Sequence, residues 1–387
     1  MAEALCAGRA EDGGMSSRLI LLAVPAFFAL IGVELWLCRR RGRRDYRFSD
    51  ALANLSCGVG QQTIVTLVSV GLLVYVFLFE RAAPVRLPPG ALSTWLACFV
   101  AVDFCYYWAH RASHRVNFLW AAHAVHHQSE DYNLSVALRQ SWVQRAFFWP
   151  FFWPLALLGF PPAVLVTTYT LNTLYQFWIH TQLVGRLGPL EWVLNTPSHH
   201  RVHHGVDAAY LDRNHGGMLI VWDRLFGTFR AEGALPRYGV VQPLGSFSAL
   251  RANLDPWRKL ARTAAAEPRL SGKLLVFLRP PDWRSEASPP EEGPLRTDPG
   301  YVLHDVERRP SVRALAAALF LAALVGAIAF LDAAPGLGAG PLWAGAAVLL
   351  AALTGVGALL DGRASPEPAR GEATSAGSPK GLPISPA

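Results

Sequence analysis

Charge is scarce in this chain. Asp, Glu, Lys and Arg supply 16% of its 387 residues, against about 25% in an ordinary soluble domain. With 52% hydrophobic residues and a mean hydropathy of +0.25, a wholly water-exposed fold is excluded. Cysteine is sparse too. Cys6, Cys38, Cys57, Cys98 and Cys105 show no CxxC spacing, which excludes a zinc ribbon or a disulfide framework. They read as small buried residues in or beside apolar runs. No flavin, haem or nicotinamide motif is present, so any electrons the chain uses come from an external donor. The net charge is +7, yet no aromatic-basic nucleic-acid motif accompanies it. The densest basic run abuts an apolar segment, which points to anionic lipid and not to nucleic acid. There is no internal repeat.

What is present is a series of long apolar runs, and they predict an all-α, polytopic membrane protein. Leu19–Leu37 is long enough to anchor. It precedes RRRGRRDYR, six arginines between Arg39 and Arg47, which the positive-inside rule assigns to the cytosol. Thr63–Phe79 and Ala91–Trp108 are the next expected spans, joined by the Pro-rich outer turn ERAAPVRLPPG. Ala146–Leu158 and Pro162–Ile179 are split by Gly159-Phe160-Pro161-Pro162, which predicts a helical hairpin, either crossing fully or re-entrant, with both ends on the cytosolic side. Residues 245–265 predict a basic amphipathic helix on the membrane surface, and Arg279–Gly300 a linker. Ala314–Leu331 and Pro341–Leu360 form a last hairpin whose Ala and Gly favour close packing. The expected divisions are 1–47 (anchor and basic run), 48–232 (catalytic region), 233–310 (amphipathic and linker region), 311–360 (hairpin) and 361–387 (disordered tail).

The histidines are not spread evenly. The stretch HRASHRVNFLWAAHAVHH holds five of the twelve in the chain. His110 and His114 form HxxxH. His123, His126 and His127 form HxxHH, and His200, His203 and His204 form a second HxxHH in PSHHRVHHG. On a helix, residues i and i+4 share a face and i and i+3 nearly do, so each box presents imidazoles together. One HxxxH is weak evidence, but three boxes on one predicted membrane face are not a surface histidine tract. Eight histidines exceed the four ligands of a tetrahedral zinc and fit two metals. Imidazole suits iron, copper, zinc and nickel, so ligand type alone does not choose among them. His180 ends the hairpin in the same layer and joins the candidate ligands. His199 adjoins a box without fitting its spacing, and His215 and His304 fit no group. Asp103 lies two helical turns before His110 on the same face, a candidate to orient a ligand histidine or to pair with a buried Arg or Tyr. Glu130 and Asp131 are candidates for the same orienting role, or for capping the next helix.

The order HxxxH, HxxHH, HxxHH in a multi-span chain resembles the fatty acid hydroxylase and sterol desaturase superfamily, over roughly residues 48–232. HRASH, HAVHH, HRVHH and the downstream NHGGMLIVWDRLFGTF carry the resemblance. SEDYNLSVALRQS, QFWIHTQ and NTPSHHRVHHG are similar to the alkylglycerol monooxygenase branch. The resemblance implies a cytosol-facing non-haem diiron centre with two irons per chain, held by His110, His114, His123, His126, His127, His180, His200, His203 and His204. It also implies O2, a membrane lipid substrate and an external electron donor. The membrane would be the endoplasmic reticulum of a eukaryote or the cytoplasmic membrane of a bacterium. In that branch one oxygen atom enters the carbon beside the ether oxygen, and the hemiacetal collapses to a fatty aldehyde and a glycerol derivative. The alternative within the superfamily is a sterol, fatty-acid or carotenoid hydroxylase or desaturase. Tetrahydrobiopterin is the reductant that the branch implies. Its members generally carry Glu directly after the second histidine of the first box, however, where this chain has Arg115. That charge reversal argues against pterin dependence. A metal transporter would place its ligands near the bilayer midplane, whereas these boxes lie at the ends of spans.

Overall fold

The computed structural model describes residues 23–67, 70–286, 288 and 293–362. The first residues of the expected anchor and the tail beyond 362 lie outside them. The described residues are almost entirely helical. They contain no strand, and their only β pairings are the isolated bridges Leu194–Leu219 and Gly205–Tyr238. Three helices are long and apolar enough to cross a membrane: α4 (Leu92–Arg115), α12 (Pro310–Ala333) and α13 (Ala339–Asp361). On α4, Leu92, Leu96, Val100 and Phe104 recur every fourth residue and are all exposed. That is the stripe a lipid-facing helix presents.

The expected span Thr63–Phe79 takes a different form. It falls across two helices, α2 (Phe48–Leu67) and α3 (Val70–Ala82), which bend by 44°. The early start of α2 has a polar cause. Asp50 and Asn54 are buried, and Asn54 donates to Ser135 Oγ at 3.1 Å. Its first turns therefore belong to a polar layer, where a lipid-exposed span would not fit. The preceding helix, α1 (residues 23–40), ends at the arginine run. Its Glu34 is buried and accepts from the Leu134 amide at 2.8 Å and from the Tyr46 and Thr181 hydroxyls.

The expected hairpin is α6 (Gln144–Leu157) and α7 (Pro162–Trp178). Gly159 turns it with φ +85°, in the left-handed region open to glycine. A Cβ there would strike the Val85 carbonyl, and the Gly159 carbonyl accepts from the Leu87 amide at 2.9 Å. An aromatic core from Tyr75, Tyr106, Phe148 and Phe152 packs α3, α4, α6 and α7 together. The amphipathic segment is α10 (Ala249–Ala266), followed by α11 (Leu270–Leu278). The last pair, α12 and α13, packs on α2 through Leu52, Phe320 and Leu353. Asp361 ends α13 in an ordered position, its carboxylate holding the Phe247 amide at 2.5 Å. Two shorter helices complete the polar layer, α5 (Asn117–His127) and α8 (Pro197–His203), with α9 (Val221–Leu225) beside them.

Candidate metal centre

The last two turns of α4 carry His110 and His114 out of the apolar stretch. The chain breaks at Val116 and restarts as α5, which delivers the second box. His180 follows the end of α7, and α8 carries the third box. The nine histidines converge in two groups. His110, His114, His123, His127 and His203 form the first; His126, His180, His200 and His204 form the second. Within each group one nitrogen per ring lies within 4.8 Å of all the others. All nine are buried.

The two HxxHH boxes exchange their middle residues. In the second box His123 and His127, at i and i+4, face the first group while His126 faces the second. In the third box His200 and His204 face the second group while His203 faces the first. Neighbours on a helix point about 100° apart, so one box edge serves two centres.

Proton placement decides what these groups are built for. His110 Nδ1 donates to the His215 carbonyl at 2.9 Å, His126 Nδ1 to the Arg139 carbonyl at 3.0 Å, His180 Nδ1 to the Gln176 carbonyl at 2.7 Å and His203 Nδ1 to the Arg213 carbonyl at 2.9 Å. A carbonyl oxygen only accepts, so each Nδ1 carries the proton and each Nε2 presents a lone pair. His123 Nδ1 faces Gln144 Oε1 at 3.1 Å in the same sense. Nevertheless, His110 and His123 bring their Nε2 atoms to 3.0 Å, and His126 and His180 bring theirs to 3.3 Å. Facing lone pairs repel, and a cation between them removes the conflict. A second proton is not available from the medium at neutral pH. Burial holds His126 down to about 4 and His203 down to about 3, and it lowers His127, His200 and His204 well below the usual imidazole range. A neutral, all-nitrogen donor set of this kind fits divalent transition metals. His114 Nε2 and His203 Nε2, both in the first group, are buried with no hydrogen-bond partner.

The supports around the groups are polar and buried. Arg139 donates to the Val125 carbonyl at 2.7 Å, to Asn54 Oδ1 at 3.1 Å and to Gln128 Oε1 at 2.9 Å, fixing the end of α5. Arg201 pairs with both oxygens of Glu232 at 2.6 and 2.7 Å and donates to the Thr181 carbonyl, tying α8 to the end of α7. Asp103 does not hydrogen-bond a histidine. It accepts from Asn172 Nδ2 at 2.6 Å, the Met218 and Leu219 amides at 2.7 and 3.2 Å, and Trp222 Nε1 at 2.8 Å. It pins the loop whose His215 carbonyl orients His110. Glu130 and Asp131 also bind elsewhere. Asp131 accepts from the Arg47 amide and guanidinium at 2.9 Å, and Glu130 from the Tyr301 hydroxyl and the His304 amide.

His215 lacks any sequence spacing to the boxes, yet it is buried beside the first group, its ring 5.0 Å from that of His114 and 5.6 Å from that of His203. Its place is set by Asp223, which accepts from the His215 and Gly216 amides at 2.7 Å. Asp212 and Asn214 on its N-terminal side adopt positive φ. The only sequence signal for it was the downstream stretch NHGG…WDR, where Asn, Gly and Asp favour such a turn. His199 faces Glu191 at 3.9 Å, apart from both groups.

Residues 95–228 match the family model "Fatty acid hydroxylase". That region contains all nine clustered histidines. Residues 95–228 are similar to a fatty acid hydroxylase domain. The domain runs from α4 to α9 and ends just past the turn that carries His215. The chain is 41% identical over 279 residues to alkylglycerol monooxygenase of Xenopus tropicalis, covering 71% of this chain and 62% of that one. The human alkylglycerol monooxygenase is 42% identical over 265 residues, covering 67% and 59%. Ornithine lipid hydroxylase OlsE of Rhizobium tropici is 33% identical over 143 residues, covering 34% and 40%. The chain thus spans less than two thirds of the length of these curated relatives. No solved structure matches it. The expected superfamily and branch are both borne out by these relatives.

Proposed function

We propose that this chain is an integral-membrane, O2-dependent lipid monooxygenase that oxidises the carbon beside the ether bond of alkylglycerols and releases a fatty aldehyde. The observation that carries the reading is the set of Nε2 atoms facing one another within 3.3 Å while their Nδ1 protons are committed to carbonyls. Two irons fit, one per histidine group. Bound iron with O2 supplies the oxidising strength that an unactivated C–H bond demands and that zinc lacks.

The chain's own residues do the rest. The carbonyls of Gln176, Arg139, Arg213 and His215 fix the imidazole tautomers and ring directions. Tyr132 stacks on His180 and on Tyr238, covering the second group against water. The lipid-facing stripe of α4 ends at Phe104, about two turns before His110, so the first group lies where the apolar stretch of that helix ends. The run Arg39–Arg47 supports a cytosolic orientation of the polar layer. That layer would face the cytosol from the endoplasmic reticulum of a eukaryote or the cytoplasmic membrane of a bacterium. One oxygen atom leaves as water, so two electrons come from an external donor. Arg115 is ion-paired with Asp212 at 2.8 Å where the branch generally has Glu, and this favours a donor other than tetrahydrobiopterin.

Product analysis tests the reading. Iron-loaded protein in nanodiscs is offered an alkylglycerol, a sterol and a free fatty acid in separate reactions under O2, with electrons supplied in one series by an NADPH-driven ferredoxin couple and in another by tetrahydrobiopterin. Fatty aldehyde from the alkylglycerol alone is expected. An oxidised sterol or fatty acid with no aldehyde would replace the ether-lipid reading with the sterol or fatty-acid alternative.

A further inference from the structure

A polar cavity of about 300 Å³ opens to solvent on the far side of the first histidine group. Arg111, Arg115, Arg213, Asp212, Thr228 and His215 line it. Three guanidinium groups face one carboxylate, and that carboxylate is committed to Arg115. Arg111 donates to the Tyr107 hydroxyl at 3.0 Å and lies over the Trp108 ring. Arg213 reaches only the Gly227 carbonyl, at 3.4 Å. Among the described residues neither has a carboxylate within ion-pair distance, and buried Asp223 is reached from Arg111 only through the Tyr107 and Thr228 hydroxyls, so neither guanidinium that lines the concavity is paired. His215 is 1% exposed and neither of its ring nitrogens has a hydrogen-bond partner. A buried imidazole without a partner is costly, and this one lies between the cavity and His114.

We propose that this cavity binds a small phosphate-bearing anion, seated between Arg111 and Arg213 with His215 toward the first histidine group. Guanidinium forks match the oxygens of a phosphate in pairs. The lining's surplus of two positive charges matches a phosphate monoester dianion, whereas a monocarboxylate ligand would neutralise only half of it. The cavity is larger than a phosphate, so the ligand carries a further small group. The charge at position 115 belongs to the same design. Glu there would compete with the anion for both arginines, whereas Arg115 occupies Asp212 and keeps it from them. The phosphate can belong to a soluble metabolite or to a lipid headgroup. The proposal deepens the lipid-monooxygenase reading by giving its site a second, anionic ligand, but its test does not depend on turnover.

Calorimetric titration of the metal-free full chain in phosphatidylcholine nanodiscs uses two probes. Glycerol 3-phosphate represents the soluble source and a lysophosphatidic acid in the same nanodisc represents the lipid source. Saturable binding of at least one is expected, with affinity falling at least tenfold in Arg111→Gln and in Arg213→Gln and further in the double variant. Competition with inorganic phosphate is also expected. A second measurement locates the ligand. In cobalt-loaded protein the 31P resonance of the bound probe should broaden, and it should not in the metal-free chain. Binding of neither probe, or binding that survives the double variant in protein melting like wild type, overturns the proposal. A 31P resonance untouched by cobalt in protein shown to contain the metal also overturns it, because the anion would then lie elsewhere. If the chain takes up no cobalt, it is the metal reading that fails, while the calorimetry still decides on the cavity.

Discussion

Asp103 is the residue whose replacement separates loop support from direct action at the metals. Its carboxylate sits fully buried in α4 and accepts four hydrogen bonds, three of them from the 218–222 segment. Asp103→Ala leaves two backbone amides, an indole N–H and the Asn172 side-chain NH2 without partners in a site closed to water, at about 1–3 kcal/mol each. Removing a buried carboxylate recovers several kcal/mol of desolvation, so the net cost is about 3–5 kcal/mol. That is a large part of the ~5–15 kcal/mol that holds an ordinary fold together. Asp103→Asn keeps the shape and one acceptor oxygen but turns an NH2 toward two donors, for roughly half that cost. The consequence at the site is specific. The loop that slackens carries the His215 carbonyl, which holds His110 in its tautomer. The first histidine group should therefore lose metal affinity while the second keeps it. Melting curves and elemental analysis at limiting metal, on Asp103→Asn in nanodiscs, read both effects. A lowered melting temperature with about one metal retained per chain is expected. If Asp103→Asn melts and binds two metals like wild type, the carboxylate does not support the loop. If it melts like wild type but binds no metal, Asp103 acts on the centre by a direct route.

Three further outcomes follow from the geometry. His126→Ala should empty the second group and His203→Ala the first, each leaving about one metal per chain and abolishing lipid oxidation. Near-normal metal content in either variant would contradict the exchange of middle residues between the boxes. Arg139→Met should lower the melting temperature more than Arg115→Met, because it strips three buried acceptors of their donor while Arg115 is a surface group. Equal melting of the two variants would contradict this. The metal-free chain should lose stability in acid. His126 and His203 titrate near 4 and 3 when folded and near ~6.5 when unfolded. Their folded values are depressed, so the stability they confer is complete above about pH 6.5 and drains away as pH falls toward those values. Melting temperatures that stay level or rise from pH 7 to pH 5 would contradict the assignment of buried neutral imidazoles.

Much of the helix plan was legible in the sequence because apolar length is a strong signal. Ala91–Trp108 lies within α4, and the Gly-Phe-Pro-Pro break marks the turn between α6 and α7. The early start of α2 was not legible, since Asp50 and Asn54 are buried by partners at Ser129, Ser135 and Arg139, more than 70 residues on. The boxes could be seen from spacing, but their division into two groups could not. Spacing says that His126 and His127 are neighbours on a helix, and only the arrangement of α4, α5 and α8 says which centre each one faces. Likewise Asp103 was marked by its burial in an apolar run, but its partners at 218–222 lie over a hundred residues away. His215 escaped because its position depends on a loop fold, with Asp212 and Asn214 at positive φ and Asp223 behind it.

The central claim is that two histidine groups, of five and four imidazoles, each hold an iron. Elemental analysis joined to iron K-edge absorption on full-length protein purified without chelators tests it most directly. Two irons per chain with a nitrogen-dominated shell are predicted, together with loss of one iron in His126→Ala. Catalytically active protein that contains a single metal, or stoichiometric zinc in place of iron, would contradict the account.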